Sequence, residues 1–171
     1  VNVLGAIYTT PTGLFLTPVY LAFKMYADHA GDLSVATEVE SPTFDAPGMG
    51  FNPARQGARY VDAAATISED GRRLYLSVVN RHRHEPMAVE VEIAGAVVRP
   101  EGLGYQLNGP SALSGNSITN PDVVRVEAVP AFEAGNRFTY VFPPHSATIM
   151  ELRLAHQKRD QPKKAPEGTI A

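Results

Sequence analysis

The sequence predicts a mainly β protein, in which an antiparallel β-sandwich or barrel follows a single strand–helix unit of an α/β body. Three observations carry this. Residues 1–8 form a nearly unbroken apolar run, the pattern of a strand buried on both faces. A capped amphipathic helix follows closely. From about residue 33 onward, short runs with a period of two alternate with Gly, Pro, Asn and Asp, the pattern of antiparallel strands and tight turns. A lone strand–helix unit cannot cover its own two faces, so the opening segment is expected to belong to a larger domain.

The elements follow in order. The run 1–8 is read as a buried parallel strand, and the stretch from Thr9 to Leu16, with Pro11 and Gly13, as the loop that leads to its crossover helix. In an α/β barrel such a loop lies on the face that carries the chemistry. Thr17 is placed to cap the helix and Pro18 to occupy its first position, where a missing N–H costs nothing. Val19, Ala22, Phe23 and Tyr26 recur at helical spacing as the expected buried stripe, widened by Leu21 and Met25, and Gly31 closes the helix.

The stretch 41–57 holds Pro42, Pro47, Gly48, Gly50, Pro53 and Gly57 and reads as a long connection rather than an element. Residues 60–68 and 73–80 then form a hairpin about Glu69-Asp70-Gly71-Arg72, and 87–93 alternates apolar and charged residues. Further strands are expected at 97–99, 104–107, 123–129, 137–142 and 146–154, a spacing that argues for a sandwich or barrel. Residues 156–171 are polar and aperiodic and read as a solvated tail.

Composition excludes several classes. The chain has 171 residues, a net charge of −3 and no cysteine, so disulfides and thiolate chemistry or metal sites are absent from the chain. A weakly acidic chain offers no basic face for nucleic acid or anionic membranes, and no apolar run reaches the length of a membrane span. No cofactor is implied.

The chemistry-bearing residue types are sparse. Arg81-His82-Arg83-His84-Glu85 sets two imidazoles at alternate positions, but the flanking arginines repel a cation, and the stretch reads as a solvated turn. His145-Ser146 follows two prolines and reads as a rigid corner rather than a base with its nucleophile, because neither an acid nor an oxyanion motif accompanies it. Glu90 and Glu92 share one strand face, yet they alternate with Val89, Val91 and Ile93 as an exposed face does; a glycosidic pair would have to flank a bond at about 5–9 Å. The asparagines fall in turn contexts such as Leu107-Asn108-Gly109-Pro110.

Several of these stretches together resemble a known family. The segment 1–7 followed by 16–26 (LTPVYLAFKMY) resembles the end of the catalytic barrel of family 51 glycoside hydrolases, the α-L-arabinofuranosidases. Ser68-Glu69-Asp70-Gly71, residues 74–81 (LYLSVVNR), Leu107-Asn108-Gly109-Pro110 and residues 137–146 (RFTYVFPPHS) resemble its C-terminal sandwich. The resemblance implies a jelly-roll-like β-sandwich preceded by the last β-strand and helix of a (β/α)8 barrel. It divides the chain into 1–31 as the final strand–helix unit, 32–155 as the sandwich and 156–171 as the tail.

The resemblance further implies retaining hydrolysis of terminal α-L-arabinofuranosides from arabinan and arabinoxylan by two glutamates, an acid/base and a nucleophile. Both precede the last barrel strand in the family, so no catalytic residue is expected in this chain, which alone should be inactive. The family often places a polar side chain from the loop after that strand near the sugar; the matching stretch here is Phe15-Leu16-Thr17, whose Leu16 is apolar. Either Thr9 or Thr10 takes that role or this chain does without it, and Thr9, Thr10 and Leu16 are the substrate-loop candidates. The implied partners are the upstream barrel segment, arabinose-containing oligosaccharides bound through it, and a homo-oligomer. The implied compartment is cytoplasmic. Two rival readings are a carbohydrate-binding module and a purely structural sandwich; the first expects an exposed aromatic platform, which no aromatic cluster in the sequence announces.

Overall fold

The computed structural model describes residues 5–155. The predicted tail at 156–171 and the start of the first predicted strand, residues 1–4, lie outside these residues. Among the described residues the fold is mainly β with one helix, as the sequence predicts. The elements are β1 (Ile7–Thr10), β2 (Gly13–Leu16), α1 (Pro18–Asp28), β3 (Leu33–Val35), β4 (Thr43–Ala46), β5 (Arg55–Arg59), β6 (Val61–Ile67), β7 (Arg73–Asn80), β8 (Met87–Glu92), β9 (Val98–Asn108), β10 (Arg125–Glu133), β11 (Arg137–Phe142) and β12 (Ser146–Leu154).

A six-stranded antiparallel sheet, ordered β10-β9-β12-β7-β6-β3, is the frame. Strand alternation divides its residues between two faces. On one face Leu74, Leu76 and Val78 of β7 and Met150 and Leu152 of β12 meet Val91 of β8 and Phe142 of β11, which form their own two-stranded sheet. Phe142, Met150 and Leu152 are fully buried there, and Phe132, Phe138 and Tyr140 close the layer through aromatic contacts. On the opposite face α1 lies across β9, β10 and β12, with Met25 and Ile149 buried and the His29 ring stacked on Tyr105 at 3.6 Å. Tyr26 hydrogen-bonds Ser77 from the same side.

The helix starts where the sequence places it. Thr17 Oγ1 accepts from Tyr20 N–H at 3.4 Å and donates to the Ala6 carbonyl at 2.8 Å, so one hydroxyl caps the helix and ties it to the chain before β1. It ends at Asp28 with His29 as the cap, before the expected Gly31. The larger difference is in which face is buried. Val19, Phe23 and Tyr26, read as the core stripe, are 55, 70 and 38% exposed, whereas Met25 is the residue that enters the core. The helix is apolar on two sides, and the described fold covers only one.

Four further expectations are corrected. The described end of the 1–8 run does not stand as a parallel strand: β1 pairs antiparallel with β2, from Ile7 opposite Leu16 to Thr10 opposite Gly13. The Thr9–Leu16 stretch is therefore a hairpin and not a loop, because Pro11 presets a turn that Thr10 Oγ1 closes on the Gly13 carbonyl at 3.1 Å. The stretch 41–57 is likewise not elementless; β4 and β5 pair across it, and Tyr60 N–H donates to the Pro42 carbonyl to join this hairpin to the frame. Strands expected separately at 97–99 and 104–107 are one strand, β9. Its Gly102 and Gly104 give room for Phe132 and Val129, which occupy the space a Cβ would take.

Both sheet edges are short or broken. β3 has three residues, and β10 shifts register between Val129 and Phe132, around Pro130. One buried group is unmet: Thr148 Oγ1, fully enclosed on β12, has no hydrogen-bond partner among the described residues. Thr148→Val keeps the shape and removes the desolvated hydroxyl, so it is expected to stabilise the fold by about 1 kcal/mol. Urea unfolding checks this, with the midpoint moving up and the slope unchanged.

Candidate functional site

The hairpin β1–β2 carries all three substrate-loop candidates. Thr9 and Leu16 fall on one face of it, with Ile7 and Leu14, and Thr10 on the other, with Tyr8 and Phe15. Tyr8 and Phe15 stack at 5.2 Å and stiffen that second face. Thr10 is committed to the turn, since it also accepts from Thr12 N–H at 3.3 Å. Thr9 is exposed, and its hydroxyl makes no hydrogen bond among the described residues, so of the two threonines it is the one free to meet a ligand. Leu16 is half-buried and offers only its backbone: its carbonyl accepts from Asn116 Nδ2 at 3.0 Å.

Asn116 is the residue that sequence reading missed. Its amide donates to the Leu16 and Val124 carbonyls, and its Oδ1 accepts from Val124 N–H at 2.8 Å, so it pins the 109–124 connection and the hairpin together. An asparagine in a turn and one that clasps two distant segments look alike in a sequence; the contact spans 100 residues. Between β2, α1 and β10 this arrangement leaves a groove of about 400 Å³ with Leu14, Leu16, Leu21 and Met25 in its lining. Charged groups rim it: Lys24 meets Asp28 at 2.5 Å, and Asp122 and Arg125 stand opposite. The Lys24 ammonium holds the Asp28 carboxyl below its ordinary value, mainly through their hydrogen bond. The groove thus combines an apolar lining with a charged rim.

The remaining candidates are engaged elsewhere. Ser146 Oγ, buried, donates to the Pro143 carbonyl at 2.7 Å, and the His145 ring nitrogens lie 2.9 and 3.0 Å from the carbonyls of Arg83 and Gly109. His145 has a positive φ of 45°. The pair is a corner, as the sequence reading has it. His82 is less solvated than expected: its ring packs on Tyr60 at 4.7 Å, and its Nδ1 accepts from the His84 and Glu85 N–H groups, organising the turn. No group of three metal-ligating side chains occurs among the described residues. Glu90 is held below the ordinary carboxyl range by its hydrogen bond to Arg137 at 2.6 Å, on the exposed side of the β8–β11 sheet.

Helix, hairpin and sandwich thus define a β-sandwich domain with an exposed apolar stripe on its one described helix. Residues 1–146 match the family model described as the α-L-arabinofuranosidase C-terminal domain. Among solved structures, the α-L-arabinofuranosidase of Thermotoga maritima in complex with arabinose superposes with a TM-score of 0.79 at 35% identity, over 88% of this chain and 32% of that one. The family 51 enzyme of Thermotoga petrophila gives 0.79 at 35%, over 86% and 31%. That of Xanthomonas axonopodis pv. citri shares the fold, with a TM-score of 0.71 at 22% identity, over 86% and 28%. No curated protein matches the chain. The chain belongs to the family of α-L-arabinofuranosidase C-terminal domains, and it spans about a third of the length of the enzymes it resembles.

Proposed function

We propose that this chain is the non-catalytic C-terminal part of a retaining α-L-arabinofuranosidase and braces its catalytic barrel. The barrel docks on the outward stripe of α1 and beside the β1–β2 hairpin. Hydrolysis of terminal α-L-arabinofuranosides in arabinan or arabinoxylan is carried out by two barrel glutamates, with this chain contributing at most the Thr9 hydroxyl to the sugar's surroundings.

One observation carries this reading. A surface helix in a finished domain is polar on its outer side, whereas α1 exposes Val19 and Phe23 there while Met25 is buried against the main sheet. Exposed Ile7 and Leu14 continue the apolar surface onto the hairpin. The match to about a third of each related enzyme is consistent with a second body on that surface.

The isolated 171-residue chain is expected to give no turnover of an aryl α-L-arabinofuranoside; measurable hydrolysis would overturn the division of labour. Phe23→Asp separates docking from folding. In the isolated chain it should change stability by less than about 0.5 kcal/mol, because the ring is exposed. In the chain joined to its barrel it buries a charge and should cost about 3 kcal/mol. Equal effects in both contexts would show that the stripe is merely exposed.

A further inference from the structure

We propose that Asn108 is a site of spontaneous deamidation, built into the corner where β9 meets the 109–124 connection. The step is intramolecular. The Gly109 nitrogen loses its proton to solvent base and attacks Asn108 Cγ. The N–Cγ bond forms, the Cγ–Nδ2 bond breaks, and Nδ2 leaves as ammonia with a solvent proton. The resulting succinimide is opened by water at either carbonyl, giving aspartate or isoaspartate; nothing is oxidised or reduced.

The observations converge on this position. Gly109 N–H donates to Asn108 Oδ1 at 2.8 Å, which keeps the nucleophilic nitrogen beside the side-chain amide it attacks. Glycine puts no side chain in the path, and packing demands glycine here: a Cβ at 109 would lie 2.8 Å from Val124 Cγ2. The leaving group is free, since Asn108 Nδ2 makes no hydrogen bond among the described residues, and the residue is half-exposed, so water reaches it.

The other described asparagines lack one or more of these conditions. Asn52 and Asn120 precede prolines, which have no N–H to attack with. The amide nitrogens of Asn80, Asn116 and Asn136 are each bonded to two or more carbonyls. The product would also matter locally. A new carboxylate enters a groove of about 280 Å³ that Arg81 and His145 line, and isoaspartate adds a backbone atom at the pair Asn108–Arg125, beside the Gly109 carbonyl that His145 contacts.

The test is peptide mapping of the full folded chain after incubation at mildly alkaline pH, with fragmentation that separates aspartate from isoaspartate. The expected result is conversion at Asn108 to both products, at least about tenfold faster than at Asn116. Asn108→Gln should abolish it, because the longer side chain must close a larger ring. Brief incubation at mildly acidic pH should trap the succinimide as loss of ammonia. An Asn108 that survives while Asn116 converts would overturn the proposal. So would conversion to aspartate alone, which indicates direct hydrolysis.

Discussion

Asn80→Ala is expected to lower the free energy of unfolding by about 4 kcal/mol, the larger of the two strongest effects anticipated. Asn80 is 1% exposed at the end of β7. Its Nδ2 faces the carbonyls of Glu85, Phe142 and Pro143 at 2.9–3.1 Å, and its Oδ1 accepts from His82 N–H at 2.9 Å. One amide therefore satisfies backbone groups from the 81–86 turn and from the double-proline corner after β11. Truncation leaves these groups dry and unpaired, and each such group costs about 1–3 kcal/mol. Asn80→Asp is the sharper control. It preserves the volume but turns a carboxylate toward three carbonyl oxygens, so at neutral pH it should destabilise at least as much as alanine. Denaturant unfolding of the three proteins reads both effects; an aspartate variant close to the parent would show that the carbonyls find water instead.

Gly31→Ala is the second, with an expected loss of about 3 kcal/mol. Gly31 does not have a positive φ; the constraint is space. A Cβ there would stand 2.5 Å from the Ile67 carbonyl oxygen and 2.8 Å from its nitrogen, both backbone atoms that cannot rotate aside. Gly31 N–H also donates to Thr66 Oγ1 at 2.8 Å, which draws the segment after α1 onto the end of β6. Relief requires moving that segment away, so the pairing of Leu33 with Ile67 should be the first to open. Amide exchange should show β3 losing protection ahead of β7 and β12. Uniform loss across the sheet would point to a global cause instead.

The strands that build the core were legible because their alternation is imposed by burial on one face. β6, β7, β8, β11 and β12 lie within a residue or so of where a period of two puts them. β9 was harder, because Pro100, Gly102 and Gly104 look like punctuation while two of them are seats for side chains from β10. The hairpins β1–β2 and β4–β5 were missed for a related reason: they contribute little to the core, so proline and glycine dominate their pattern. The turn at 50–51 leaves Phe51 fully exposed, which no periodicity could have announced.

The helix gave the most instructive error. A hydrophobic stripe says that a face will be covered but not by what; of the expected stripe Val19 and Phe23 stay exposed, while Tyr26 reaches the main sheet only through its hydroxyl on Ser77. Of the candidate site, Thr9, Thr10 and Leu16 were legible as a group because they flank one turn. The role of Asn116 was not, since its partner Leu16 lies at the other end of the chain.

The two blunted margins of the main sheet have a consequence for how this molecule recognises others. A short β3 at one side and a β10 interrupted at Pro130 on the other leave no long ladder of free amides and carbonyls for a foreign strand to copy. Backbone zippering, which is indifferent to side chains and so accepts almost any extended peptide, is closed off along both borders. Association along this sheet must rely on side chains, whose shape and identity decide the fit. The sheet thereby trades promiscuous stickiness for selectivity.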